Sequence, residues 1–72
     1  MERKQRVAFM VGSEVRVRRR SGLLYSGRRG RVLDVLHRPD GRIAYEVYLY
    51  LSSSQSTPVS REYYGDELVL VD

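Results

Sequence analysis

The chain has 72 residues, 13 Lys+Arg against 9 Asp+Glu, a formal net charge of +4 and no cysteine. A single domain of this size buries only roughly 60% of its unfolded surface, and without cysteine it has neither disulfides nor thiolate metal sites to staple it. A compact all-β fold, or docking onto a larger assembly, is the remaining route to stability.

Residues Met1–Arg6 are polar and charged and read as a tail without the apolar stretch of a signal peptide. Val7–Val11 is an apolar lead-in with two open readings, packing on the domain or burial in a partner. From Glu14 to Arg20 the chain alternates, with Val15 and Val17 on one face and Arg16, Arg18 and Arg20 on the other, which predicts a half-buried strand. Ser21–Arg29 reads as an ordered loop, because linkers do not carry three large apolar residues such as Leu23, Leu24 and Tyr25. That trio is either a protein-binding knob or a piece of core.

Gly30–Leu36 is a second strand, and Arg38-Pro39-Asp40-Gly41 a hairpin turn in which proline presets φ and glycine accepts its positive value. Arg42–Leu51 is the strongest strand signal. Ile43, Tyr45, Val47, Leu49 and Leu51 form one face; Ala44, Glu46, Tyr48 and Tyr50 form the other. Ser52–Pro58 is a polar loop, Val59–Tyr64 a short strand or 3₁₀ turn, and Glu67–Val71 a closing strand. Five short strands without helical periodicity predict an all-β, small five-stranded SH3-like barrel over residues 11–72, preceded by a tail over 1–10. No apolar run approaches a membrane span, so the expected protein is soluble or peripheral.

The charge is asymmetric. Arg3 to Arg31 holds ten basic residues and one acid, Glu14, while Asp34 to Asp72 holds seven acids and three arginines. Such a division points to a basic face that steers an anionic partner. The run Arg16, Arg18, Arg19 and Arg20 exceeds what protection of a strand edge needs, and Arg28, Arg29 and Arg31 extend it. Tyr48 and Tyr50 share the outer face of their strand and offer either base stacking or a protein contact. His37 has no partners spaced as metal ligands, and no serine or threonine sits in a nucleophile context. The expectation is a non-enzymatic protein with no cofactor.

Gly12-Ser13-Glu14-Val15-Arg16-Val17-Arg18-Arg19, then Tyr25 and Gly30-Arg31-Val32, resembles the opening of the photosystem I reaction-centre subunit IV family, where Gly-Ser-x-Val-Arg-Ile leads through an aromatic loop into Val-Gly-Thr-Val. Tyr45–Leu51 sits where that family has Tyr-Pro-Val-x-Val-Arg-Phe, and Tyr63–Val71 is similar to its Asn-Phe-Ala-x-x-Glu-Leu-x-x-Val ending. The resemblance implies a peripheral subunit on the cytoplasmic or stromal face of a photosynthetic membrane, stabilising the complex and assisting ferredoxin or flavodoxin docking in electron transport. It implies contact with the large photosystem I core subunits and the iron–sulfur subunit. Arg16, Arg18, Arg19, Arg20, Arg28 and Arg31 would supply the positive field. Arg61 and Tyr63 would supply subunit contacts, and Tyr50 stands where the family has an arginine associated with ferredoxin docking.

Two other resemblances share the fold. Val15-Arg16-Val17 with Gly27–Val32 is similar to a KOW element, which implies a cytoplasmic nucleic-acid-binding module of a transcription or ribosome-associated protein. The variable chain of ferredoxin–thioredoxin reductase is a further barrel of this kind.

Overall fold

The computed structural model describes residues 7–52 and 56–71. The expected tail over Met1–Arg6 and part of the expected Ser52–Pro58 loop lie outside the described residues. The protein is all-β. Strands β1 (Glu14–Val17), β2 (Arg29–His37), β3 (Ile43–Leu49), β4 (Ser60–Tyr64) and β5 (Leu68–Leu70) form one antiparallel sheet in the order β4-β3-β2-β1-β5. Of the two readings of Val59–Tyr64 the strand holds, and a 3₁₀ turn, Gly65–Glu67, follows it and connects β4 to β5.

The alternation of β1 does what its side chains require: Val15 and Val17 are fully buried and Arg16 is exposed. The strand is shorter than expected, however. It ends at Val17, and Arg18–Arg20 leave the sheet. The cause lies in the following loop. The Val17 N–H donates to the Arg28 carbonyl and Gly27 N–H to the Val17 carbonyl, each at 2.8 Å, which closes 18–27 as a protrusion. Ser26 pins that protrusion from inside: its hydroxyl donates to the Arg18 carbonyl and accepts from the Arg20 N–H, each at 3.0 Å. Gly27 holds a φ of 82°, a value that L side chains rarely adopt.

The β2–β3 hairpin turns as its sequence dictates. Gly41 has a φ of 84°, and the Asp40 carboxylate accepts from the Arg42 N–H at 3.0 Å. β2 carries an irregularity between Val32 and Asp34 that puts Leu33 outside the regular pairing. β3 is the most buried strand. Ala44, assigned by alternation to the outer face, is nevertheless buried, because it lies between Leu36 and Tyr64 on the flanking strands, and so small a side chain is covered by its neighbours.

Val15, Val17, Val32, Val47, Leu49 and Leu68 form the core with Tyr45 and Tyr63. Phe9 joins it by an edge-to-face contact with Tyr45, centroids 5.2 Å apart. The Ala8 N–H donates to the Tyr45 hydroxyl at 2.8 Å. Of the two readings of the lead-in, packing therefore holds at Phe9, while Met10 and Val11 stay exposed. In the loop, Leu23 and Tyr25 pack on the core and Leu24 is exposed, so the trio is mostly core.

The Tyr63 hydroxyl donates to the Leu24 carbonyl at 2.7 Å and ties the loop to β4. Burial pushes its phenol above the ordinary value, with Arg61 opposing. The native state thus holds this proton at pH values where the unfolded chain releases it. The stabilisation is complete below about pH 10 and declines as pH rises through the folded value. Tyr63→Phe should lower stability by about 1 kcal/mol at neutral pH and flatten the decline above pH 10, read from urea midpoints. An unchanged decline in the variant would assign it to other groups.

An arginine face beside a tyrosine pair

Sheet register places the candidate site. Arg16 on β1 faces Val69 on β5 and Arg29 on β2, and the Tyr50 N–H donates to the Arg29 carbonyl just beyond β3. The next outward row runs Glu14, Arg31, Tyr48 and Ser60 across four strands. Two rows, one turn of alternation apart, therefore bring three arginines and two tyrosines onto one surface. Arg18, Arg19 and Arg20 rise beside it from the loop and line, with Arg16 and Val69, an open groove of about 560 Å³. Arg28 and Arg29 border a second groove of about 710 Å³ with Glu14, Gly27 and Tyr50.

Most of these guanidinium groups are uncompensated. Among the described residues, no carboxylate lies within 4.0 Å of Arg16, Arg18, Arg19, Arg20, Arg28 or Arg29. Arg20 donates to the Asp66 carbonyl at 3.2 Å, and the Arg19 side chain lies 3.3 Å from where a Cβ on Gly27 would stand. Arg31 meets Glu14 at 3.5 Å. Arg16 and Arg29 are like charges directly opposite one another on paired strands, an arrangement that costs stability.

Tyr48 and Tyr50 stack edge to face, centroids 5.7 Å apart, beside Arg31 and the half-exposed Leu33. The Tyr50 hydroxyl donates to Glu14 at 3.0 Å. Burial, reinforced by that carboxylate and opposed by Arg31, pushes its phenol above the ordinary value, so the hydroxyl is a donor at neutral pH.

Of the residues singled out in the sequence, Arg16, Arg18, Arg19, Arg20, Arg28, Arg31 and Tyr50 share this side of the sheet. Two do not. Tyr63 is 3% exposed and belongs to the core, since its register opposite Tyr45 turns its ring inward. Arg61 lies at the far edge on β4, 5.7 Å over the Tyr25 ring and bonded to its neighbour's carbonyl. Glu14 as the partner of Tyr50 and Arg31, and Leu33 as the apolar neighbour of Tyr48 and Tyr50, are legible only from strand register. Elsewhere, Arg42 stacks on Tyr64 at 3.5 Å and Arg38 pairs with Glu62, so the acidic half of the sheet consumes its own cations. Among the described residues no three His, Asp or Glu side chains converge as metal ligands, and no helix is long and apolar enough to cross a membrane. No protein-family model, curated protein or solved structure matches this chain significantly.

Proposed function

We propose that this chain is a non-catalytic docking domain, a small SH3-like barrel whose arginine face engages an acidic protein partner. The barrel is supported by the return of β5 to β1 and by a core shared by all five strands. The docking role is carried by one observation: seven arginines, Arg16 to Arg20 without Val17 and Arg28, Arg29 and Arg31, occupy one side with Glu14 as their one ion-paired carboxylate among the described residues. Charges left unpaired at a surface raise encounter rates with an oppositely charged partner and fix its orientation.

The resemblance to photosystem I subunit IV supplies the form of this reading. The chain is a peripheral subunit at the cytoplasmic or stromal face of a photosynthetic membrane, seated on the large core subunits and the iron–sulfur subunit, and its arginines steer ferredoxin or flavodoxin. A second reading, a nucleic-acid-binding module, is favoured by one specific feature, the Tyr48–Tyr50 pair beside Arg31.

Affinity purification of the tagged chain from its own cells at low salt tests this directly. The expected result is co-purification with a pigment–protein complex and release by added salt. Recovery with RNA or DNA instead favours the second reading, and recovery with a soluble iron–sulfur subunit the reductase-type barrel. Recovery of the chain alone contradicts docking altogether.

A further inference from the structure

Resting on that docking reading, we propose that Glu14 is a built-in stand-in for the partner: its carboxylate occupies the seat between Tyr50 and Arg31 that an acidic side chain of the partner takes on docking. Three observations converge on this seat. Glu14 is the one acid between Arg3 and Arg31. Its Oε1 accepts from both the Tyr50 hydroxyl at 3.0 Å and Arg31 at 3.5 Å, so a neutral donor and a cation already aim at one anionic oxygen. The seat is also open: the Glu14 and Arg31 side chains are 38% and 56% exposed, and the grooves on either side are lined by Arg28 and Arg29 and by Leu33 and Tyr48.

The chemistry of the seat selects its ligand. What lies between the phenol and the guanidinium is a carboxylate, which shows that a carboxylate satisfies both donors, and the free arginines around it suit further acids. Leu33 and the tyrosine rings beside the seat suit an apolar side chain next to the docking acid. The partner surface is therefore a run of Asp or Glu with an aliphatic or aromatic neighbour. Docking exchanges one carboxylate for another, and Glu14 lowers affinity for any single weakly acidic surface while leaving a densely acidic one able to displace it.

The test uses the full chain and a deca-glutamate peptide at low salt, with affinity read by titration. Glu14→Gln keeps an oxygen for the Tyr50 hydroxyl and removes the charge that competes for Arg31. It should tighten peptide binding about fivefold, the scale of an exposed ion pair. Glu62→Gln changes the net charge equally and frees Arg38 at the far edge, so it should change affinity less than about twofold. Adding Arg31→Gln to Glu14→Gln should cancel the gain. Equal tightening by Glu14→Gln and Glu62→Gln, or a gain that survives loss of Arg31, overturns the exchange. Tightening toward a deoxythymidine decamer but not the peptide overturns it in favour of nucleic acid. If the parent chain binds no peptide at all, the docking reading itself fails, a result distinct from either.

Discussion

Gly30→Ala is expected to remove a large share of the stability of this domain. A Cβ at position 30 would stand 2.2 Å from the Tyr48 carbonyl oxygen and 2.7 Å from Val47 Cγ1. No rotamer relieves this, because the first obstacle is backbone. Gly30 lies between Val15 on β1 and Leu49 on β3, both fully buried. Room for the methyl would therefore come only from parting β2 from β3 at the centre of the sheet. Overpacking against side chains costs about 1–3 kcal/mol; against a carbonyl in a paired strand the upper end applies. A domain of this length has a total stability of roughly 4–11 kcal/mol, and 3 kcal/mol corresponds to a fall in Tm of roughly 12–24 °C. Thermal denaturation followed by circular dichroism reads it. A fall of less than about 5 °C would mean that β2 and β3 do not approach this closely at Gly30.

Arg16→Glu should separate stability from docking by moving them in opposite directions. In the native register Arg16 faces Arg29, and no carboxylate among the described residues offsets the pair. A glutamate there converts a like-charge cross-strand pair into an opposite one, worth about 0.2–1 kcal/mol, or a few degrees in Tm. The same change removes a cation from the middle of the arginine face and puts an anion there, so affinity for an acidic partner should fall about tenfold or more at low salt, chiefly through slower association. A surface built only for stability would not hold two arginines in register. Binding that survives Arg16→Glu, or a Tm that drops with it, removes the reason to read that strain as serving a partner.

Much of the strand plan is legible in the residues, since period-two burial is written into Val15-Arg16-Val17 and into Tyr45, Val47 and Leu49. The hairpin turn at Pro39-Asp40-Gly41 is legible for the same local reason. What a one-dimensional reading misses is non-local. The early end of β1 depends on the Ser26 hydroxyl and on the meeting of Val17 with Gly27 and Arg28 across the loop. The burial of Ala44 depends on its two flanking strands, and the inward turn of Tyr63 on its register with Tyr45.

The site divides in the same way. Its cations are visible as a run, because seven arginines crowd positions 16–31. Its composition as a surface is not, because Glu14, Arg31 and Tyr48 are far apart in sequence and adjacent only through two strand pairings. Leu33 shares the outward face of Arg29 and Arg31 by the alternation of β2, but the tyrosines beside it arrive only through the pairing of β2 with β3.

A ¹⁵N-labelled chain titrated with the deca-glutamate peptide, at low ionic strength and again near 0.5 M salt, measures the central claim most directly. At low salt the resonances of Arg16, Arg29, Arg31, Tyr48 and Tyr50 should shift together, and at high salt, where charges are screened beyond a few ångströms, they should return to their free positions. Shifts gathered instead around Arg38, Arg42 and Glu62 on the other half of the sheet, or no shifts at all, would contradict an outward-facing arginine surface that receives an acidic partner.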